Sequence, residues 1–360
     1  MSDKHFVQRE GGTFERRAFK IAATKEAFRI LSDGLYSDKV RAIIRELSTN
    51  ARDGHILAGN QDVVFEVHLP SYSEPWFSVK DFGCAMSHED VMELYSTYFG
   101  TDKADELDTT GCLGLGSKSP LSMVRSFPVV SRYDGVERHY IVTLNEERLP
   151  EVNYLVEQDK PTDKTGMEIQ VAVGTSDIHR YMLRAQQVYQ YFTEQARPRI
   201  VNCEDYALPE KEVLIEGKGW RMLKGHGRAV AIQGNVGYPI ESGQIEGLSS
   251  SHEAILSCNL EIDFPNGSMG FTPSREHLSY SKVTCANLIA RLDEIVTEVN
   301  ATIGQRFDKC ETLWEARTLA WTMLWSTDAD LRHLKKFAET GEELAVQGLK
   351  NLREIEKSLD

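Results

Sequence analysis

Residues 37–59 read SDKVRAIIRELSTNARDGHILAG, and their apolar members Val40, Ile43, Ile44, Leu47 and Ala51 recur at helical spacing. The recurrence predicts an amphipathic helix over about residues 38–57, with Ser37 as its N-cap. Glu46, Asn50 and Asp53 stand at i, i+4 and i+7. A rotation of about 100° per residue holds them within roughly 60° of one another, on one edge of the apolar stripe. Arg41, Arg45 and Arg52 fall on the opposite side, expected to be solvated. Two carboxylates and an amide set beside a core suit a hard cation bound through oxygen and a water held for attack. The same row would also serve as an ordinary polar helix face.

Two further elements change that balance. FSVKDFGCAM, residues 77–86, reads as a strand ending in Asp81, with Gly83 and Met86 in the turn that follows. A carboxylate can project from the strand end there, and a glycine lets a ligand approach the backbone, although an ordinary turn uses the same residues. YFGTDKADELDTTGCLGLGSKSP, residues 98–120, is crowded with Gly, Ser, Thr and Asp and is longer than most connections. Gly111, Gly114 and Gly116 would let successive backbone N–H groups converge on phosphate oxygens, and Ser117 and Ser119 are placed to cap a following helix. This is not a Walker A loop, because Ser117 stands where lysine is required; Ser119 in the last glycine position excludes GxGxxG as well.

In this order, ELSTNARDG, DFGCAM and GCLGLGSKS resemble the N, G1 and G2 boxes of the GHKL ATPases. That superfamily includes gyrase B subunits, MutL, the ninety-kilodalton heat-shock chaperones and histidine kinases. The chain is more similar still to the RIIA rapid-lysis proteins of T-even-like bacteriophages, which carry LYSDKVRAIIRELSTNARDGH, VKDFGCAMS, YFGTDK, GLGSKSPLS and KTGMEIQV in similar form and spacing. The likeness covers roughly residues 15–285 and would make this chain a short relative.

The resemblance implies ATP and Mg2+ as ligands. It makes Glu46 the general base for the attacking water, Asn50 the protein ligand of Mg2+ and Asp53 a supporting group. Asp81 becomes the acceptor for the adenine amino group, with Gly83 and Met86 lining the base pocket. Residues 98–116 become an ATP lid, with Lys103 and Lys118 as phosphate cations and Gly111, Gly114, Leu115, Gly116 and Ser117 around the phosphates. Two departures stand out: Ala85 replaces the usual second glycine, and Met167 stands where the family places a threonine, with Thr165 before Gly166. FTPSREHLSYS, residues 271–281, resembles the SRE-containing catalytic loop of the heat-shock chaperones, which makes Arg275 a γ-phosphate arginine delivered from a second domain.

The expected fold is α+β: a Bergerat GHKL α/β sandwich over residues 1–176, a transducer-like α/β domain over 177–284 and a helical tail over 285–360. Within the first, residues 14–21 suggest a strand, Thr24 caps a helix, and strands follow at VVFEVHL, FSVKDFG, FPVVSRY, RHYIVTL and GMEIQVAV. Ser176 or Asp177 caps a helix running through HRYMLRAQQVYQYFTEQA. EVLIEG, AVAIQGNVGYPI and AILSCNLEIDF then read as strands, and the Leu, Glu, Lys and Ala content after residue 284 predicts helix.

With 360 residues, 41% of them hydrophobic, the chain can bury substantial cores. Its 55 acidic and 41 basic residues leave a net charge of -14, which argues against non-specific attraction to duplex DNA. The six cysteines lie far apart, without CxxC pairs or histidines at metal-ligand spacing, so reduced thiols are expected. No apolar run of about 18 residues and no signal peptide is apparent, so a cytosolic protein is expected; the resemblance points to the cytoplasm of an infected bacterium.

Three functions compete. The first is a slow ATPase that couples lid closure to domain or homodimer rearrangement, in lysis control or counter-defence. The second is an interaction protein stabilised by ATP, binding a host or phage partner without needing hydrolysis, with the helical tail open to a dimer, a partner or a peripheral membrane contact. The third, a MutL-like DNA clamp, sits poorly with the charge. No histidine in a dimerisation helix precedes the motifs, which argues against a histidine kinase, and the chain leaves no room for a topoisomerase cleavage domain.

Overall fold

Two apolar cores organise the computed structural model, which describes residues 34–96, 116–146, 148–312 and 314–319. The first core lies on an eight-stranded sheet of β1 (Glu66–His68), β2 (Trp76–Lys80), β3 (Ser126–Tyr133), β4 (Val136–Leu144), β5 (Pro150–Tyr154), β6 (Lys160–Pro161), β7 (Gly166–Ala172) and β8 (Arg199–Ile200). Its order is β5-β4-β3-β7-β2-β1-β8, with β6 also beside β4. All pairings are antiparallel except that of β1 with β8. Phe77 and Val79, Phe127 and Val129, and Ile169 and Val171 alternate into the core, the period expected of strands with one buried face. Helices α1 (Lys39–Leu57), α2 (His88–Ser96) and α3 (Ile178–Tyr189) complete this core, α1 through Val40, Ile43, Ile44 and Leu47 and α3 through Tyr181, Ala185 and Val188. Burying each of these larger apolar side chains contributes roughly 1.5–3 kcal/mol.

The second core lies on a five-stranded sheet of β9 (Val213–Gly217), β10 (Trp220–Leu223), β11 (Val230–Gln233), β12 (Val236–Pro239) and β13 (Leu260–Phe264), in the order β12-β11-β13-β10-β9. A short helix α4 (Ser250–Leu256) and the 27-residue α5 (Lys282–Asp308) pack with it. Leu288, Leu292, Ile295, Val299, Ile303 and Phe307 repeat every three or four residues along α5, and that stripe is its buried face. Strands β14 (Gly270–Phe271) and β15 (Leu278–Ser279) form a separate hairpin. The architecture is mixed α+β.

Several local expectations shift. Asp38, rather than Ser37, caps α1, its carboxylate accepting from the N–H of Arg41 at 3.2 Å. Ser117 and Ser119 lie inside a 3-10 turn, Gly116–Ser122, rather than ahead of an α-helix. α3 stops at Tyr189, and the expected strand AILSCNLEIDF begins as the end of α4. Packing also divides the chain later than residue 176. α3, Phe192, Ala196 and β8 belong to the first core, residues from Leu214 onward belong to the second, and α5 is part of the second core rather than a separate tail. The strand and helix expected before residue 34, and the helices expected beyond residue 319, lie outside the described residues. No helix among the described residues is long and apolar enough to cross a membrane.

Candidate functional site

α1 is buried on almost every side. Apolar Val40, Ile43, Ile44, Leu47 and Ala51 are joined by Arg45, Glu46, Ser48, Thr49, Asp53 and His55, all buried. The sheet covers only one of its faces; the 3-10 turn Gly116–Ser122, α3 and the β14–β15 hairpin cover others. Buried polar groups need partners, and those of α1 show where the candidate site lies.

Glu46 is 3% exposed, between two guanidiniums. Its Oε1 accepts from Arg45 Nη2 at 2.8 Å, and its Oε2 from Arg275 Nη1 at 3.2 Å. Arg45 also donates to the carbonyl of Ser274 at 2.7 Å. Burial raises the Glu46 carboxyl, but the Arg275 and Arg45 charges outweigh it and hold the group below the ordinary carboxylate value. Burial likewise works against the Arg275 charge, and Glu46, joined by Tyr238 and Asp53, more than restores it. Arg45, expected on the solvated side, is 3% exposed because the second body covers that side. A sequence periodicity reports only the helix's own stripe, so it could not register this cover.

Gly116 closes the same corner, since a Cβ there would lie 2.5 Å from Glu46 Oε2. Ser117 and Lys118 follow it, both buried, and burial draws the Lys118 amine down to about 8. Asn50, one turn beyond Glu46, is half-buried, while Asp53 is fully buried.

The other end of α1 meets the Asp81 turn. Asp81 Oδ1 accepts from the N–H of Gly83 at 3.0 Å and of Met167 at 3.2 Å, and the Asp81 N–H donates to the Met167 carbonyl at 2.9 Å. Met167 therefore orients Asp81 through its backbone while its side chain lies in the core. Thr165, the nearest hydroxyl in sequence, is exposed. Gly83 packs so closely that a Cβ would stand 2.3 Å from the carbonyl carbon of Gly54, and Cys84 N–H donates to the Gly54 carbonyl at 3.0 Å. Met86 is half-buried at the core margin, its carbonyl accepting from Ser131 Oγ at 2.6 Å.

His55 ties the two segments. Its Nε2 accepts from the N–H of Phe82 at 2.8 Å, so Nδ1 carries the hydrogen and donates to the Val63 carbonyl at 2.7 Å. Burial, ahead of the opposing Val63 bond, lowers this imidazole and keeps it neutral.

The structure thus gathers Glu46, Gly116 and Arg275 at one corner and Asp81, Gly83 and Gly54 at the other, with Asn50 and Asp53 on the helix between them. Lys103, Gly111, Gly114 and Leu115 lie outside the described residues. Arg45, His55 and Glu276 are contributors that the motif reading missed. Arg45 adjoins Glu46 in sequence and Glu276 adjoins Arg275, which is the only sequence signal for either. No protein-family model matches the chain, and no curated protein matches it.

Proposed function

We propose that the chain binds ATP with Mg2+ along α1 in the manner of the GHKL ATPases, in a Bergerat-type sandwich followed by a transducer-like body, and hydrolyses it slowly. The observation that carries this reading is the Glu46–Arg275 pair, which joins the expected base on α1 to the expected arginine from the second body. Nothing short-range in the sequence requires these residues to meet.

The residues fit the ligand. Asp81, fixed by two backbone amides on Oδ1, accepts from an adenine amino group, with Gly83 and Met86 beside the base. Gly116 lies against Glu46, where a Cβ would press on its carboxylate, and its backbone N–H would be offered to a phosphate, with Ser117 and Lys118 next in the chain and the lid residues Lys103, Gly111, Gly114 and Leu115 ahead of it. Asn50 would hold Mg2+ through its side-chain oxygen, with Asp53 supporting it from the same helix. When bound, Mg2+ supplies neutralisation of phosphate charge.

Glu46 takes the proton of the attacking water. Its carboxylate is held by Arg45 and Arg275, so Arg275 must leave it for the γ-phosphate before Oε2 can act as a base. Arg275 moving from one anion to the other links nucleotide state to the relation of the two bodies, and through them to a homodimer or a host or phage partner. The RIIA resemblance sets this in lysis control or counter-defence in an infected bacterium.

The same ion pair also favours a second reading: as a buried clamp it is complete without turnover, as in an interaction protein that uses ATP only as a ligand. Substitution separates the two. Glu46→Gln is expected to keep binding of a fluorescent ATP analogue while losing roughly 100-fold in phosphate release. Asp81→Asn is expected to lose binding by roughly tenfold or more, since a buried donor then faces the adenine amine. Wild-type turnover in purified Glu46→Gln would remove Glu46 as the base.

A further inference from the structure

Ser274, Arg275 and Glu276 are consecutive at the tip of the β14–β15 hairpin, and all three reach α1 or its first residues. In an extended segment neighbouring residues would face opposite ways. Arg275 instead sits at φ +54, in the left-handed region that a non-glycine residue occupies only when its surroundings fix it. Its N–H donates to the Thr272 carbonyl at 2.8 Å, and the Thr272 N–H to the His277 carbonyl at 2.9 Å, which closes the tip into a tight turn. The turn aims the Ser274 carbonyl at Arg45, the Arg275 guanidinium at Glu46 and the Glu276 carboxylate at the start of α1.

The third contact is the most extensive. Glu276 accepts from the Ser37 N–H at 3.1 and 3.0 Å through its two oxygens, from Ser37 Oγ at 3.0 Å, and from the Asp38 N–H at 3.2 Å. Its anchor is itself fixed, because Asp38 caps α1 and is paired with Arg180 at 3.0 Å and Arg184 at 2.5 Å on α3, whose apolar side lies in the first core.

Building on the ATPase reading above, we infer that Glu276 is a positioning residue for that reaction: it latches the hairpin tip of the second body to Ser37 and Asp38, immediately ahead of α1, and so sets where Arg275 stands. Its hydrogen bonds run to Ser37 and Asp38 rather than to Glu46. One peptide unit separates it from Arg275, so slack at Glu276 becomes displacement of the guanidinium, and a misplacement of about 1 Å can cost roughly 100-fold in rate.

The full chain is compared with Glu276→Ala, Glu276→Gln and Ser37→Ala by ATP turnover and by amide hydrogen exchange without nucleotide. Glu276→Ala is expected to lower kcat roughly 10- to 100-fold while KM for ATP stays within about twofold, a split that mere loss of fold would not give. Exchange should quicken at residues 37–41 and 272–277 and stay unchanged at 79–86. Glu276→Gln should fall between Glu276→Ala and wild type, and Ser37→Ala should show the smallest loss. Unchanged kcat, a raised KM with unchanged kcat, or exchange quickened throughout the chain would each overturn the assignment. Should the wild type hydrolyse no ATP, the ATPase reading fails by itself. Exchange still decides the latch in that case, since unchanged protection at 37–41 and 272–277 in Glu276→Ala overturns it.

Discussion

Around Glu46, α1 is held by charge: Arg45, Arg275 and the Ser274 carbonyl meet there in a buried cluster. Around Gly54, farther along the same helix, the grip comes from backbone, with Gly83 stacked against Gly54, Cys84 bonded to its carbonyl, and His55 bridging Phe82 and Val63. A charged contact can be exchanged for another anion of similar reach. A backbone contact at van der Waals distance cannot be traded for anything. The Asp81 end is therefore suited to a fixed seat, and the Glu46 end to a contact that can change partner.

The largest effect is expected at the charged end. Glu46→Ala leaves Arg45 and Arg275 facing each other in a buried space, and breaking a buried pair in this way costs about 3–5 kcal/mol. Adding Arg275→Met should recover part of that loss, because an apolar side chain of similar length removes the uncompensated charge. Denaturant midpoints of the two variants measure both steps. A loss below about 1 kcal/mol in Glu46→Ala would mean that the cluster is hydrated and exchangeable without cost, and the contrast between the two ends would collapse.

The next effect lies at the backbone end. In Gly83→Ala the new Cβ would stand 2.3 Å from the Gly54 carbonyl carbon and 2.6 Å from the His55 nitrogen, atoms of a helix backbone that cannot step aside. The turn must shift, at about 1–3 kcal/mol. Asp81 precedes Gly83 by only two residues and accepts a hydrogen bond from its N–H, so ATP-analogue affinity should fall together with stability. A variant of wild-type stability and wild-type affinity would show that Gly83 is tolerated slack rather than a seat.

The charged end was legible in part. The helix and the Glu46, Asn50, Asp53 row follow from a period of 3.6 residues, which needs no partner to be read. Arg45 was assigned to solvent because that period cannot see a hairpin contributed from residues 270–279. Arg275 came from a short motif, and Glu276 beside it went unread because its partners are mostly backbone N–H groups, which carry no sequence signature. The backbone end was legible through Gly83 and Asp81 but not through His55, whose role depends on the carbonyl of Val63 and the amide of Phe82. Residue 176 looked like a boundary because a cap signal there opens a helix that leads to a second set of strands. The apolar face of α3 nevertheless returns to the first core, and a helix start says nothing about which core the helix will join.

Acid separates the two ends most finely. His55 is lowered by burial beneath its ordinary 6.5, so at higher pH it is neutral in both folded and unfolded chains. As the pH falls below 6.5 the unfolded chain takes the proton first, and stability drops until the folded imidazole also titrates. Glu46 is lowered beneath 4.5 once the two guanidiniums outweigh burial, so its contribution is intact above that value and is lost only as the pH falls through its folded value. The backbone end should therefore loosen in mild acid while the charged end still holds. In His55→Gln the amide carbonyl can accept from Phe82, and the cost at pH 8 should be about 1 kcal/mol for the imperfect bond to Val63. Its stability should then decline less steeply than wild type between pH 6.5 and 5, and the difference between the two curves isolates His55 from the other histidines. Parallel curves would mean that the imidazole can charge in place, and that the Asp81 turn is as adaptable as the Glu46 cluster.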